Sequence, residues 1–481
     1  MTRRGITLLA AFMLLVFPAA ARSAGPEILL REEPEKYLVI DKLQGLGLLP
    51  DIMTGDRGFE AKEVAREAIK GEEFRGDPFV AGMFRFLQLD SGKKFDFRLR
   101  GGFEYSEDGR IPPNAQGLPV LKDGGVRVGG FFRYAPAEWL GLQGRGDLLA
   151  GSDDRFGRLE ETSLRLGWPQ VTLEAGKFSP WWGPGRHGAL IFTTNAEPLN
   201  GVRLRNPRPI PLGWPLRFLG EIQYDLFLAR LDDARPIPHT LLSGMRVAIR
   251  PNRYLEIGAS RAIHFGGKGQ GNGFSDWWRA AQGTYDNDPG STGNQIAGFD
   301  VQLTLPFKIQ PVHVYWEGAG EDEAAMIGGV PFPSKWAFLY GVFLPSLFGT
   351  PRLDFRAEIA LNHLGDSGPA WYVHPFSPHR YRGQILGHHM GTDAQDFFFE
   401  GHYFLLPSSY LEVNLDLTRR YSPGPAREDI QRVTTAVVAW LTRNVRAEGR
   451  LVFHKVKNEN GTPGADSSDV QIQLIAAYHY R

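Results

Sequence analysis

Residues 470–481 alternate almost without fault between an apolar and a polar face. The apolar positions are Val470, Ile472, Leu474, Ala476, Tyr478 and Tyr480, and the polar ones are Gln471, Gln473, His479 and Arg481. Side chains of a β-strand alternate with a period of two. A strand of about ten residues whose apolar face ends in aromatic residues has the properties of a lipid-facing barrel strand. The pattern therefore predicts that this stretch spans a membrane as a strand.

The same period recurs from Lys94 onward, most clearly in residues 95–105, 126–134, 140–148 and 445–453. A soluble two-layer sandwich would also show one apolar and one polar face, so the period alone leaves both classes open. Aromatic residues at the strand ends favour a barrel. Roughly 385 residues, at about 20 residues for each strand with its connection, give 16 to 20 strands. If both ends of the barrel lie on the periplasmic side, the number of strands must be even. We expect a mainly β protein, an antiparallel transmembrane β-barrel of about 18 strands over residues 93–481.

The N-terminus carries the features of an export signal. Arg3 and Arg4 form a short basic region, residues 6–17 are an apolar run, and residues 19–21 are three alanines. This pattern predicts a signal peptide over residues 1–21 that is cleaved after Ala21. No later window contains 18 consecutive apolar residues, which argues against a helical membrane protein. The predicted location is the cell outer membrane.

Composition narrows the class further. The chain contains 58 Gly, 32 Phe, 15 Tyr and 11 Trp, while 22% of its residues are charged. A barrel accounts for this composition, because polar side chains line its lumen while aromatic and other apolar side chains face the lipid. The absence of cysteine excludes disulfides and Cys-ligated metal sites. Because 54 basic residues balance 54 acidic ones, we expect no nucleic-acid partner.

Residues 22–92 have a helical rather than a strand period. Tyr37, Ile40, Leu43 and Leu46 share one helical face that Gly47 follows, and Asp77 with Pro78 has the form of a helix N-cap and first turn. Between them, residues 61–69 repeat apolar positions at i, i+3, i+4, i+7 and i+8 before Gly71. Three short helices cannot easily bury a core alone. We expect a helical bundle at the periplasmic side that packs on the barrel as a plug or lid, with a free-standing periplasmic domain as the alternative.

Three long stretches lack any period: residues 107–123, 266–294 and 364–396. Loops of this length commonly carry function, and in a barrel the long loops are extracellular. Partner binding is therefore predicted either in these loops or in the lumen.

Residues 178–196 are the most distinctive segment of the chain. They read Phe-Ser-Pro-Trp-Trp-Gly-Pro-Gly-Arg-His-Gly-Ala-Leu-Ile-Phe-Thr-Thr-Asn-Ala. Here the chain resembles the Wzi family of capsule assembly proteins, whose pattern includes Trp-Trp-Gly-Pro-Gly, then Gly-Ala-Leu, then Asn-Ala-Xaa-Pro. Residues 320–324 with 333–337, residues 381–394 and residues 41–50 are also similar to that family. The resemblance covers nearly the whole mature chain.

The resemblance implies an outer-membrane barrel of 18 strands with a helical bundle at its periplasmic side. It also implies a lectin-like role in holding capsular polysaccharide at the cell surface, and no enzymatic activity. The expected partners are capsular or extracellular polysaccharide, together with outer-membrane lipid and lipopolysaccharide.

Aromatic and basic residues of the predicted turn and loops are the candidate glycan contacts. Aromatic rings can stack on sugar faces, and arginine can bind a carboxylate through two hydrogen bonds. The candidate set is Trp181, Trp182, Arg186, His187, Trp277, Trp278, Trp371, Tyr372 and Arg382. The alternatives are that the tryptophans lie in an interfacial girdle or are buried in a turn, and that Arg186 pairs with a neighbouring acid.

Other motifs give no prediction of a cofactor, a metal or a catalytic group. The loop histidines His374, His379, His388 and His389 raise the question of a metal, but their spacing matches no zinc motif. The run of acids at residues 321–323 could bind calcium, but it lacks the spacing of a known loop and is expected to be a solvated face. The glycine-rich residues 266–273 lack the lysine-serine ending of a P-loop. We also expect that no helix follows them, so phosphate binding is not predicted.

The predicted function is therefore non-enzymatic polysaccharide binding that assembles or anchors a capsule or exopolysaccharide layer. A hydrolase would need a diagnostic nucleophile motif such as G-x-S-x-G, which the chain lacks. The main alternative is a porin that conducts small solutes through a charged lumen.

Overall fold

The computed structural model of the protein describes residues 33–72, 76–89, 92–151, 155–168, 170–283, 292–321, 323–327, 330–365, 371–421 and 424–480. The predicted signal peptide, residues 1–21, lies outside the described residues. None of the helices in the described ranges is long and apolar enough to cross a membrane.

Eighteen antiparallel strands close into one barrel. They are β1 Phe95–Ser106, β2 Gly125–Ala137, β3 Leu140–Gly151, β4 Arg155–Trp168, β5 Val171–Phe178, β6 Leu199–Arg205, β7 Glu221–Arg230, β8 Leu241–Asn252, β9 Leu255–Phe265, β10 Asn294–Leu305, β11 Val312–Glu321, β12 Trp336–Leu344, β13 Leu353–Leu361, β14 Ala394–Leu406, β15 Ser409–Arg420, β16 Glu428–Trp440, β17 Val445–Lys457 and β18 Ser467–Tyr480. Each strand pairs with the next, and β18 returns to β1 with Tyr480 opposite Phe97 and Gln471 opposite Ser106. The predicted fold class and strand number are confirmed.

The last strand has the two faces that its sequence predicts. Leu474, Tyr478 and Tyr480 are about half exposed on the outer surface, whereas Gln471 and His479 are buried in the lumen. Because side chains alternate along a strand, this register directs one face of β18 toward lipid and the other toward the barrel interior.

Charged side chains fill much of the barrel interior as pairs between neighbouring strands. Arg165 on β4 lies 2.7 Å from Glu174 on β5, and Arg203 on β6 lies 2.5 Å from Asp225 on β7. All four residues are buried. Buried charges need such partners because removing them from water is costly.

Three helices precede the barrel: α1 Pro34–Gly45, α2 Ala61–Glu72 and α3 Pro78–Gln88. The Asp77 carboxylate accepts the backbone N–H groups of Phe79 (2.7 Å) and Val80 (3.4 Å), which is the predicted N-cap. After α1, Gly47 adopts a left-handed φ of +72°, a conformation that favours glycine at helix ends. The predicted helices are confirmed.

The helical segment lies against inward-facing barrel residues, and we call residues 33–89 the plug. Lys42 Nζ on α1 is 3.0 Å from Asp354 Oδ2 on β13, and Arg446 Nε on β17 is 3.1 Å from Glu35 Oε1. Pro407, in the short turn between β14 and β15, lies close to Gly82 of α3. Because short turns of such barrels face the periplasm, the plug occupies the periplasmic part of the lumen.

One plug residue has a strongly shifted acidity. Burial raises the pKa of Glu60 to about 7, against the opposing effect of the Arg165 and Arg205 guanidinium groups. The neutral form of this side chain is therefore favoured when the plug is docked.

Candidate functional site

Two of the connections at the long-loop end fold back into the barrel and pack on each other. These connections, residues 179–198 and 371–393, are called the roof. The Tyr372 hydroxyl donates to the Leu190 carbonyl at 2.6 Å, and the Thr193 N–H donates to the Leu386 carbonyl at 2.7 Å. The long loops are thus not simply solvent-exposed, because these two form an internal layer.

Buried carboxylates on the barrel strands hold the roof through its backbone. Glu358 on β13 accepts the N–H groups of Arg186 (2.6 Å) and His187 (3.0 Å). Glu317 on β11 accepts the Leu190 N–H at 3.0 Å, and Glu321 accepts the Tyr372 N–H at 2.7 Å. The prediction that Glu321 belongs to a solvated face is wrong, since its carboxylate is used to bind a buried backbone amide.

Aromatic residues form the core of the roof. The rings of Trp182 and Phe192 meet edge to face with centroids 4.9 Å apart, and Trp182 Nε1 donates to Asp225 at 2.8 Å. Trp371 Nε1 donates to the Lys335 carbonyl at 2.8 Å. Trp182, Trp371 and Tyr372 are at most 1% exposed. The sequence predicted these three residues as sugar contacts, but in the structure protein atoms cover their rings.

A polar cavity of about 720 Å³ lies between the roof and the plug, and we call it the vestibule. Its inner end is formed by Pro34, Tyr37 and Arg57 of the plug, and its outer rim includes Arg110, Glu459 and Asn460. The wall between them includes Asn114, Trp181, Arg186, His187, Tyr410, Arg432, Arg450, His454 and Gln473. The vestibule thus extends from the plug to the extracellular loops.

Three of the predicted glycan residues line the vestibule: Trp181, Arg186 and His187. Trp181 Nε1 donates to the Gly185 carbonyl at 3.1 Å, which fixes the ring within the turn. Among the described residues, the Arg186 guanidinium makes no hydrogen bond, and its nearest acid, Glu400, is 4.0 Å away. Arg186 is therefore loosely paired and available to a ligand.

Two further candidates, Trp277 and Trp278, lie away from the vestibule on a short helix, α4 Phe274–Ala281. This helix directly follows the glycine-rich segment, so the expectation that no helix follows it is wrong. Arg261, which faces outward on β9, donates to the Ala281 carbonyl at 2.6 Å. Phe274 and Trp278 are exposed beside the outer wall of the barrel. This position suits the membrane interface as well as it suits a sugar.

The last candidate, Arg382, is about half exposed at the extracellular end. Its guanidinium lies 3.2 Å from Glu197, and it does not line the vestibule. The structure therefore divides the nine candidates among the vestibule, the roof core and the outer surface.

The four loop histidines do not form a single group. His379 bonds to His264 at 2.9 Å and to the Ile191 carbonyl at 2.7 Å, while the His374 ring accepts the Ser377 N–H at 3.1 Å. Burial lowers the pKa of His379 to about 4. His389 lies elsewhere, beside His187, with ring centroids 4.4 Å apart.

Most vestibule residues on β14 to β17 were missed by sequence reasoning. Tyr410 on β15, Arg432 on β16, and Arg450 and His454 on β17 face inward from three strands, and only the folded barrel brings them together. The available signal was the polar face of each strand, which marks a residue as lumenal but does not say which neighbours it meets.

The fold defines a class of outer-membrane β-barrel whose lumen is occupied by an N-terminal helical plug on one side and by infolded loops on the other. Within that class, the family model described as capsule assembly protein Wzi matches residues 82–470, and the chain belongs to this family. The resemblance carried by the Trp-Trp-Gly-Pro-Gly segment is confirmed, as is the outer-membrane location.

Two known proteins show how far the likeness extends. An uncharacterized 55.8 kDa protein in the cps region of Klebsiella pneumoniae is 31% identical over 268 residues, which are 54% of this chain and 50% of that protein. The match thus spans half the length of that relative. A solved Escherichia coli structure, described as Wzi, an outer membrane protein involved in group 1 capsule assembly and a carbohydrate binding beta-barrel, is similar with a TM-score of 0.73. It is 20% identical, and the match covers 94% of this chain and 99% of that one.

Proposed function

We propose that this protein binds exported polysaccharide non-covalently in the vestibule and so helps to assemble or anchor a capsule or exopolysaccharide layer. The supporting observation is the vestibule itself, a polar cavity of about 720 Å³ that reaches the extracellular rim. Ligand sites in proteins usually measure about 300–1,000 Å³. A chain end or side branch of a polymer is the element that fits such a recess.

Sugars would be recognised by the side chains of the vestibule wall. Trp181, which is 7% exposed, supplies a small aromatic surface, Asn114 and Gln473 supply amides for hydroxyl groups, and Arg186 supplies a positive charge for an acidic sugar. One barrel would hold a polymer weakly. Many barrels in one membrane would hold the same polymer with much greater avidity.

The neighbouring surfaces fit this role. The apolar outer face of the barrel, including Leu474 and Tyr478, would contact outer-membrane lipid and lipopolysaccharide.

We also propose that the protein acts without catalysis. Glu358, a buried carboxylate close to the vestibule, is already occupied by the backbone amides of Arg186 and His187.

Paired substitutions test the proposal. Arg186→Gln removes the loosely paired cation of the vestibule, and Arg382→Gln removes an exposed cation outside it as a matched control. We expect Arg186→Gln to weaken binding of polysaccharide from the same cells by roughly 10–100-fold in calorimetry, and to shift polysaccharide from the cell-bound to the shed fraction. Arg382→Gln should leave both measurements near wild type.

If only Arg382→Gln reduces binding, or if neither substitution does, the site is not in the vestibule. If deletion of the gene leaves the retention of every surface glycan unchanged, the proposed function itself is wrong.

A further inference from the structure

Four potential metal ligands meet beside the vestibule from separate parts of the chain. His187 and His389 belong to the two segments of the roof, Asp396 lies on β14, and Asp416 lies on β15. One ligand atom from each of the four lies within 4.8 Å of the others. His187 Nε2 is 3.5 Å from Asp396 Oδ2 and 3.3 Å from Asp416 Oδ2, and His389 Nε2 is 3.9 Å from each of the same oxygens.

The two histidines direct buried nitrogens into this group that are not otherwise used. Within the described residues, His187 Nε2 and both ring nitrogens of His389 are buried without a hydrogen-bond partner. The His389 side chain is only 7% exposed. Buried polar atoms are rarely left without a partner, so such a concentration of them calls for a ligand.

The surroundings orient the proposed ligands. The Thr418 hydroxyl lies 2.8 Å from Asp396 Oδ1 and 3.1 Å from Asp416 Oδ1, so that the Oδ2 atoms of both carboxylates face the histidines. Asp416 Oδ2 also accepts a hydrogen bond from the Arg432 guanidinium, which orients that carboxylate. The His187 ring stacks on Phe398 at a centroid distance of 3.8 Å. Contacts of this kind hold ligand side chains in position around metals in proteins.

We propose that His187, His389, Asp396 and Asp416 form a binding site for a divalent transition metal of the zinc type. Bonds of about 2.0–2.2 Å from such an ion to four ligands place those ligands about 3.3–3.6 Å apart in a tetrahedron. The four histidine–carboxylate separations are 3.3 to 3.9 Å and every pair of ligand atoms lies within 4.8 Å, so the side chains need to move inward by roughly 1 Å or less. Imidazole ligands favour zinc, copper or nickel over calcium and magnesium, which prefer oxygen alone.

This proposal departs from the expectation that the loop histidines hold no metal. That expectation rested on the spacing of histidines in residues 374–389. The second histidine of the proposed site comes instead from residue 187, about two hundred positions earlier in the chain. The bound ion would tie both segments of the roof to two adjacent strands, and the roof would thereby be held next to the vestibule.

A competing arrangement uses the same residues without a metal. Arg432 already pairs with Asp416, and a protonated His187 would balance the remaining carboxylate charge. The two arrangements are separable by experiment, because only one of them binds an added ion.

The experiment uses the full-length protein, folded in detergent, stripped with a chelator and titrated with Zn²⁺ and Co²⁺. We expect one equivalent of Zn²⁺ to bind, the unfolding temperature to rise, and Co²⁺ to give the intense visible absorption of a tetrahedral site. Asp396→Asn and His389→Ala should each weaken Zn²⁺ binding by at least roughly a hundredfold. The control is His363→Ala, which removes another histidine–aspartate pair, with His363 Nδ1 at 2.6 Å from Asp393; it should bind Zn²⁺ as the wild type does.

Different mobility of heated and unheated samples in gels identifies variants that have folded. If Asp396→Asn does not fold, His389→Ala carries the test, since it removes no charge. Absence of Zn²⁺ binding to the wild type would overturn the proposal in favour of a protonated His187. Binding that survives in both ligand variants would overturn it as well, because the ion would then occupy another position.

Discussion

The plug and the roof occupy the same lumen from opposite ends but are held in place by different proportions of ion pairs and backbone hydrogen bonds. The plug is attached by ion pairs, such as that of Asp41 with Arg356 of the barrel at 3.1 Å, and also by its backbone at Thr54 and Gly55, whose N–H groups donate to Glu256 at 2.9 Å each. The roof is attached largely by its own backbone, whose N–H groups bind carboxylates such as Glu358. Neutralising one member of a buried ion pair leaves the other charge unbalanced, whereas the roof spreads its attachment over several carboxylates and several backbone amides. A single substitution should therefore release the plug more easily than the roof.

The largest effect is expected from removal of the central plug carboxylate. Asp41→Asn leaves Arg57 and Arg356 buried without their shared anion, and breaking a buried pair from one side costs about 3–5 kcal/mol. We expect the plug to undock while the barrel remains closed. Conductance in planar bilayers should then rise from a low value, and protease should cleave the plug. A conductance equal to that of wild type would show that the ion pair does not hold the plug.

The next effect concerns pH and again distinguishes the plug from the roof. Glu60 has a raised pKa of about 7 in the docked plug, so it binds its proton more tightly there than in the unfolded chain. Docking is then strongest below about pH 4.5 and weakens as pH rises toward 7. Glu60→Gln should remove this dependence and strengthen docking at pH 8 by on the order of 2 kcal/mol. The measurement is the urea concentration that makes the plug protease-sensitive at pH 5 and pH 8. An unchanged pH dependence in Glu60→Gln would assign it to another group.

A smaller effect is expected in the roof. The Tyr372 hydroxyl donates to the Leu190 carbonyl and accepts the His388 N–H at 3.2 Å. Tyr372→Phe removes both bonds and should cost roughly 1–2 kcal/mol. Hydrogen exchange of the amides in residues 186–193 should accelerate, while exchange in the plug should not. Faster exchange in the plug as well would show that the plug and the roof are energetically coupled and are not held independently.

The smallest effect is expected at the edge of the plug. Glu63 on α2 pairs with Arg208 at 2.8 Å, and the Arg208 side chain is 38% exposed. Exposed pairs contribute under about 1 kcal/mol, so Glu63→Gln should change the urea midpoint of plug release only slightly. If Glu63→Gln weakened plug docking as much as Asp41→Asn does, the burial of an ion pair would matter less for docking than the number of ion pairs.

Features that depend on local sequence were predicted well. The period of two in β1 and β18, the Asp77 cap and the chain length together led to the barrel, its strand number and the helices. The period and the cap each arise within a few residues of the chain, where backbone geometry and apolar spacing determine the outcome, and the strand number then follows from the chain length.

Features that depend on distant contacts were not predictable in the same way. Trp371 and Tyr372 were expected at the surface because their segment is long and lacks a period, yet they are buried in the roof. The pairing of Tyr372 with Leu190 joins residues that are 182 positions apart. A partial signal did exist, since Glu317 and Glu358 place acids on the inward faces of strands, where each needs a partner.

The contact between Glu35 and Arg446 joins residues 411 positions apart, the first from α1 and the second from the last strand but one. The helical segment is made before any strand, yet it cannot complete this contact until almost all of the barrel has assembled. Contacts between such distant residues form late because closing a long loop costs entropy. The N-terminal segment can therefore dock fully only when the barrel is almost complete. Its protection from protease would distinguish complete barrels from incomplete ones during biogenesis.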